Sequence, residues 1–334
     1  MKVERVASPS CRPPFPVYTD LVDVLSGVRQ EGTTKRDATV AHVLGTCAGY
    51  SYGDTGTVAT MMARLGLDAH ACVSVSQTVD AMFIFSTAYL LQSRCGRVVI
   101  LSYRGTEPSS LGNWLGDADV GSEESLLAVG DGVPPVRVHA GFYLNVRATW
   151  FGVIDELTRA LSGKSLLDPE RDVENPLDSL YVTGHSLGGA MAVVFALAVA
   201  GDNKHRAIAE KLRAIYTFGQ PMAVCAPLPP WVDGVGQKLL RHVRARDPVP
   251  SLPPVQWGPF AHIGQEFRFQ DGEWRRPESP TGPLVRKRDV ARAVLALVAP
   301  EKQRQSFRYS AAEHRPHHYI AELRPRGRVS ELGD

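Results

Sequence analysis

The chain has 334 residues, 44% hydrophobic and 22% charged, with a formal net charge of +2 at pH 7. That length admits one large α/β domain with an ample core, and the near-neutral balance excludes the strongly basic face that nucleic-acid binding calls for. Cys11, Cys47, Cys72, Cys95 and Cys225 are widely spaced without a CxxC pattern, which argues against a zinc or redox site and for thiols in a reducing compartment.

The first residues, Met1 to Arg5, lack the apolar core of a secretory leader. The longest apolar run, Ala190 to Ala200, is too short to cross a membrane. The expected location is therefore cytoplasmic by default, or secreted if a leader has been removed. Residues 1–20 are rich in proline (Pro9, Pro13, Pro14, Pro16) and read as an extended surface arm. Leu21 to Val28 predicts a short helix. Asp37 to Gly49 and Thr57 to Leu65 predict two more, separated by a turn at Tyr50 to Asp54.

Asp80 to Ser86 reads as a strand, whereas Ala88 to Gln92 carries no decisive pattern. Arg97 to Tyr103 is a continuous apolar run, as in a strand buried on both faces, and leads into Arg104-Gly105-Thr106. Residues 107–135 form a polar excursion rich in Gly, Ser, Asp and Pro, a length usual for functional loops. Val136 to His139 predicts a short strand, Gly141 to Leu161 an amphipathic helix, and Asp168 to Asp178 a polar loop. Beyond residue 200 the pattern predicts a polar helix (Asn203 to Leu212) and strands at Ala214 to Phe218 and Lys238 to Val243. It then predicts an antiparallel edge hairpin over Phe260 to Phe269 and an amphipathic helix over Val285 to Val298. Strands alternating with helices point to a single α/β domain with a mostly parallel sheet.

The stretch that carries chemistry is Gly184-His185-Ser186-Leu187-Gly188, between a β-prone run (Leu180 to Thr183) and the apolar Ala190 to Ala200 helix. A serine on such a strand-turn-helix needs small residues two positions either side, and it faces helix N–H groups that favour developing negative charge. Serine needs a base, and the base an orienting acid, in the chain order Ser, Asp or Glu, His. Asp247, directly after a predicted strand and fixed by Pro248 and Pro250, is the best acid. The histidines after it are His262, His314, His317 and His318. His262 reads as structural, and chain order does not separate the other three. Their cluster could alternatively bind a metal, but no accompanying ligand pattern beyond Glu313 supports one. The N–H of Leu187 and the Arg104-Gly105-Thr106 loop supply the candidate oxyanion donors.

Six ordered motifs resemble the class 3, fungal-type triacylglycerol lipases of the α/β-hydrolases. They are Val98 to Thr106, Asn113-Trp114 with Asp117, Val138 to Phe142, Gly184 to Ala190, Tyr216 to Pro221, and Asp247 to Pro250 with Leu252-Pro253-Pro254. The resemblance covers roughly residues 80–320, leaving 1–79 as an N-terminal arm and helices. It implies an α/β-hydrolase fold with Ser186 as nucleophile, Asp247 as acid, and Thr106 and Leu187 as oxyanion-hole residues. It also implies His314 as base, since Glu313-His314 with Tyr319 matches the family's ending, and His317 and His318 are the alternatives. A lid is implied over about 107–135, with Trp114 near its start.

The implied activity is hydrolysis of fatty-acyl esters through an acyl-enzyme, with no cofactor or metal. The partners are a lipid or other ester substrate and a transient lipid interface, with no nucleic acid. The same residues would serve a phospholipase A1-like enzyme or an esterase of shorter soluble esters. The acidic lid stretch (Glu107, Asp117, Asp119, Glu123, Glu124, Asp131) weighs toward soluble esters. The non-enzyme alternative, a catalytically silent lipase-like scaffold, is disfavoured because all three catalytic residue types are present.

Overall fold

The strand that leads to Ser186 lies in the middle of a nine-stranded sheet. The structure is a computed structural model that describes residues 1–7, 16–27, 36–67, 69–79, 84–106, 124–298 and 310–333. Trp114, Cys11 and the 107–123 part of the expected lid lie outside the described residues. The first strands and helices are β1 (Lys2–Ala7), α1 (Leu21–Gly27), α2 (Ala38–Tyr50), α3 (Thr55–Leu65), β2 (Ala69–Val79), β3 (Ile84–Ser93) and β4 (Val98–Tyr103). There follow β5 (Glu124–Leu126), β6 (Arg137–His139), α4 (Ala140–Leu161), β7 (Ser179–His185), α5 (Leu187–Gly201), α6 (Arg206–Lys211) and β8 (Leu212–Phe218). The rest are β9 (Val224–Cys225), α7 (Val232–Gly236), β10 (Leu239–Arg244), β11 (Phe260–Ala261), β12 (Gln265–Gln270), β13 (Glu273–Arg275), α8 (Lys287–Val298) and α9 (Pro316–Leu323).

The large sheet runs β1-β2-β3-β4-β7-β8-β10-β12-β13. From β4 to β12 every pairing is parallel, and the pairings outside that block are antiparallel. The fold is therefore an α/β-hydrolase architecture with a mixed sheet, parallel at its centre. Helical crossovers account for the parallel part, since parallel neighbours cannot be joined by a tight turn. Alternation across the pleat sends Val99, Leu101, Leu180 and Val182 to one core, under α4 and α5. It sends Val98, Ile100 and Tyr181 to the other, under α1, α2, α3 and α9. Helix α5 is buried around nearly its whole circumference, which explains its uniformly small and apolar sequence.

The predicted N-terminal helices form where their caps allow. Asp37 accepts from Val40 N at 2.9 Å and starts α2; Asp54 accepts from Thr57 N at 2.7 Å and starts α3. Gly66, at φ 102°, ends α3.

Several local readings change. Residues 2–7 are not part of a surface arm but the edge strand β1, paired from Lys2↔Ser76 to Ala7↔Ala71. The strand β2 was not anticipated, and Ala88 to Gln92 is the middle of β3 rather than undecided. The hairpin expected over 260–269 does not form. Phe260–Ala261 joins β9 in a second, four-stranded sheet, and Gln265–Gln270 runs parallel to β10. The polar helix at 203–212 is a short 3-10 turn plus α6, because Leu212 already begins β8. Within the expected lid, residues 124–126 are strand β5 of that second sheet, paired with β6.

Candidate active site

Ser186 sits between β7 and α5 with φ 58° and ψ −130°, a positive φ that an L-residue adopts only under constraint. The flanking glycines make the turn feasible. A Cβ on Gly184 would lie 2.3 Å from Gly188 C and O, and one on Gly188 would lie 2.1 Å from Tyr103 O at the end of β4. Ser186 N donates to Phe218 O at 2.9 Å, tying the turn to the end of β8. The strand ends therefore converge at one edge of the sheet, where α/β folds place their sites.

Asp247 follows β10 on a turn closed by its own N–H to Arg244 O at 3.0 Å. Its Oδ1 accepts from Val249 N at 2.9 Å. His314 ends the short 3-10 turn Ala311–His314, just before α9. The structure brings these three side chains into one line. His314 Nδ1 lies 2.8 Å from Asp247 Oδ2, and His314 Nε2 lies 2.8 Å from Ser186 Oγ. Ser186, Asp247 and His314 are all buried. A carboxylate only accepts, so the proton of the neutral imidazole belongs on Nδ1, and Nε2 presents its lone pair to the serine hydroxyl.

Two further hydroxyls hold this line. Tyr319 Oη donates to Asp247 Oδ2 at 2.6 Å. Burial, and then the Asp247 charge, push its phenol well above the ordinary value near 10, so it stays a donor. On the other side, His185 Nε2 lies 2.7 Å from the backbone carbonyl of His314, and Tyr52 Oη lies 2.9 Å from His185 Nδ1. A carbonyl cannot donate, so His185 carries its proton on Nε2 and Tyr52 donates to Nδ1. Burial, then the neighbouring His314, hold His185 well below the usual histidine range and keep it neutral.

The Arg104-Gly105-Thr106 segment lies directly against the elbow. A Cβ on Gly105 would stand 2.6 Å from His185 O. Thr106, half-buried, is the next residue. Leu187 opens α5, where the first N–H groups have no intrahelical acceptor and face outward. Both sequence-predicted oxyanion residues thus flank the serine turn.

The other histidines do not reach Ser186 in this arrangement. His317 is exposed and lies beside His318, with ring centroids 4.2 Å apart and the rings tilted by 41°. His262 is tied by Nε2 to Pro250 O at 2.7 Å. Tyr52, His185 and Tyr319 escaped the sequence reading as site-building groups. His185 stood inside the motif and Tyr319 inside the histidine signature, but nothing in the sequence marks Tyr52. Among the described residues no group of three His, Cys, Asp or Glu side chains is arranged to hold a metal ion. No single helix among them is long and apolar enough to cross a membrane.

Comparison with known proteins fits this geometry. Residues 100–257 match the family "Lipase (class 3)". The lipase of Rhizomucor miehei is 29% identical over 207 residues, covering 61% of this chain and 50% of that lipase. The secreted mono- and diacylglycerol lipase 1 of Fusarium solani is 28% identical over 185 residues, 55% of this chain and 48% of that protein. This chain thus spans about half the length of the curated relatives it matches. The solved Rhizomucor miehei lipase in its propeptide complex superposes with a TM-score of 0.55 at 21% identity, over 85% of this chain and 81% of that one. At that identity the likeness speaks for the fold, and the family likeness rests on the motif-bearing segment. Over residues 100–257, the chain is similar to the class 3 lipase family.

Proposed function

We propose that the chain is a serine carboxylester hydrolase of the lipase type, cleaving fatty-acyl esters such as acylglycerols through an acyl-enzyme on Ser186. The observation that carries this reading is the buried line Ser186 Oγ–His314–Asp247, with 2.8 Å at each link, at a strained elbow. His314 Nε2 takes the serine proton as Oγ attacks the ester carbonyl. Asp247 stabilises the imidazolium, and the N–H of Leu187 with Thr106 receives the oxyanion. His314 then returns the proton to the leaving alcohol. Water, deprotonated by the same imidazole, releases the acid and restores Ser186. No step calls for a metal or cofactor.

The substrate class follows the names of the relatives, one of them a mono- and diacylglycerol lipase. Another relative name specifies a secreted lipase of the same kind, which favours the secreted over the cytoplasmic location. A second reading, an esterase of shorter soluble esters, is favoured by the acidic composition of residues 107–135.

The deciding experiment is hydrolysis of p-nitrophenyl esters from acetate to palmitate by wild type and Ser186→Ala, below and above substrate aggregation. Ser186-dependent turnover that rises with long chains on aggregation supports the lipase reading. Turnover confined to short soluble esters supports the esterase. No Ser186-dependent turnover on any ester leaves the catalytically silent scaffold.

A further inference from the structure

The base is carried by a slight piece of structure. The Ala311–His314 turn is only four residues long, and such 3-10 turns have poor intrinsic stability. It must nevertheless hold an imidazole against an aspartate 67 residues earlier in the chain. One backbone bond ties the start of the turn to the Asp247 loop, Ser310 N to Arg246 O at 3.0 Å.

A stronger tie comes from Arg244, the last residue of β10. Its Nε and Nη2 both bond Glu313 Oε2, at 2.9 and 2.5 Å, and Glu313 immediately precedes His314. Its Nη1 pairs with Glu322, on the helix that presents Tyr319. Its backbone N–H donates to Tyr319 Oη at 3.2 Å, and its carbonyl accepts Asp247 N. Arg244 is only 8% exposed. A single residue thus touches the acid's turn, the tyrosine that bonds the acid, and the residue beside the base.

We propose that Arg244 is a positioning residue for His314: its guanidinium, braced between Glu313 and Glu322, fixes the turn bearing the imidazole onto the turn bearing Asp247. The proposal rests on the serine-hydrolase reading of the same site. The physical reason is the fork geometry of guanidinium, which engages two carboxylates along different edges of its plane at fixed angles; an ammonium is a point charge that does not. Proton transfer needs the imidazole placed to within a fraction of an ångström. A loosened turn therefore lowers the rate of the chemical step and leaves substrate binding alone.

The test uses Arg244→Met, Arg244→Lys, Glu313→Gln and Glu322→Gln in the full chain. Turnover is expressed per active site titrated, and the rate of Ser186 labelling by a fluorophosphonate is measured alongside. Arg244→Met is expected to lower kcat and the labelling rate by about 10- to 100-fold, with KM within about twofold. Arg244→Lys should recover part of that loss, and Glu313→Gln should reproduce part of it. A merely structural role would lower the thermal midpoint and the titratable fraction, with kcat per site unchanged.

Wild-type kcat and labelling rates in Arg244→Met overturn the proposal. If Arg244→Met does not fold, wild-type rates in both glutamine variants overturn it instead. The labelling rate does not depend on which ester is the substrate, so a wrong substrate assignment leaves the test intact. A wild-type chain that neither labels nor turns over any ester sinks the hydrolase reading and the clamp together; normal labelling in every variant sinks the clamp alone.

Discussion

Asp247 Oδ2 receives two hydrogen bonds, one from His314 Nδ1 at 2.8 Å and one from Tyr319 Oη at 2.6 Å. The carboxylate is thereby fixed in rotation by a group that takes no part in proton transfer. Tyr319→Phe keeps the ring and removes the donor. A hydrogen bond to a charged group contributes about 1.5 kcal/mol or more, so kcat should fall about 10-fold with KM unchanged. Steady-state kinetics on a soluble ester check this. An unchanged kcat would mean that Val249 N–H and His314 suffice to orient the acid.

Gly219 lies flat against the same bond. It has φ +59°, and a Cβ there would stand 2.8 Å from Asp247 Oδ2 and 2.9 Å from His314 Nδ1. Gly219→Ala therefore strikes the acid–base pair as well as straining its own backbone. The expected result is a folded protein with about 100-fold or greater loss of kcat. Fluorophosphonate labelling of Ser186 should slow in parallel. Labelling at the wild-type rate would show that the pair can shift aside without losing its geometry.

The pair Arg241–Glu266 joins β10 to β12 and is almost fully buried, with side chains 2% and 1% exposed. Glu266 also accepts from Thr281 N at 2.7 Å and from Arg268. Arg241→Met leaves a buried carboxylate short of one partner while Arg268 and Thr281 N stay in place, which should cost about 1–3 kcal/mol of stability. Activity per folded molecule should not change. Denaturant unfolding monitored by circular dichroism measures the first quantity and active-site titration the second.

Three buried histidines and one half-buried one, His262, are kept neutral by the fold. Burial lowers His42 to about 4 and holds His185, His242 and His262 well below the usual range. In the unfolded chain they protonate near pH 6.5. Below that pH the unfolded state binds more protons than the native one, so stability is full above about pH 6.5 and falls as pH drops toward 4. His42 alone accounts for about 3 kcal/mol of that fall. Unfolding midpoints from pH 7 to pH 4 should slope downward, and His42→Gln should flatten the slope. Parallel curves for the two proteins would show that His42 is protonated in the native state.

What the sequence made legible were features written in short spacings. The capped helices α2 and α3, the largely apolar β4 and the Gly184–Gly188 turn each depend on neighbours within a few residues. The misread elements depend on partners far away. Strand β1 looks like a free arm until β2, some 70 residues later, pairs with it. Strand β2 mixes small and polar residues, and its local signal is the period-two row Ala71, Val73 and Val75, which packs under α4 and α5. In β12, Glu266 is buried between Arg241 of the neighbouring strand and Arg268 of its own, a partnership that no local spacing announces. Chain order leaves His314, His317 and His318 open, and the resemblance chooses His314 on its Glu313-His314 and Tyr319 ending; in space His314 meets Asp247 through the turn tied to Arg244 and Arg246. The link from Tyr52 to His185, across 133 residues, has no local signature at all.

Ser186 and Asp247 leave the ribosome well before His314 does. Chains fold from the N-terminal side as they are made, so β7, β8 and β10 can assemble with the nucleophile in place but no base beside it. Throughout that interval the serine is an ordinary alcohol. On the proposed reading, hydrolytic competence waits on the docking of the Ala311–His314 turn and α9, so a chain that stops short of His314 should turn over no ester.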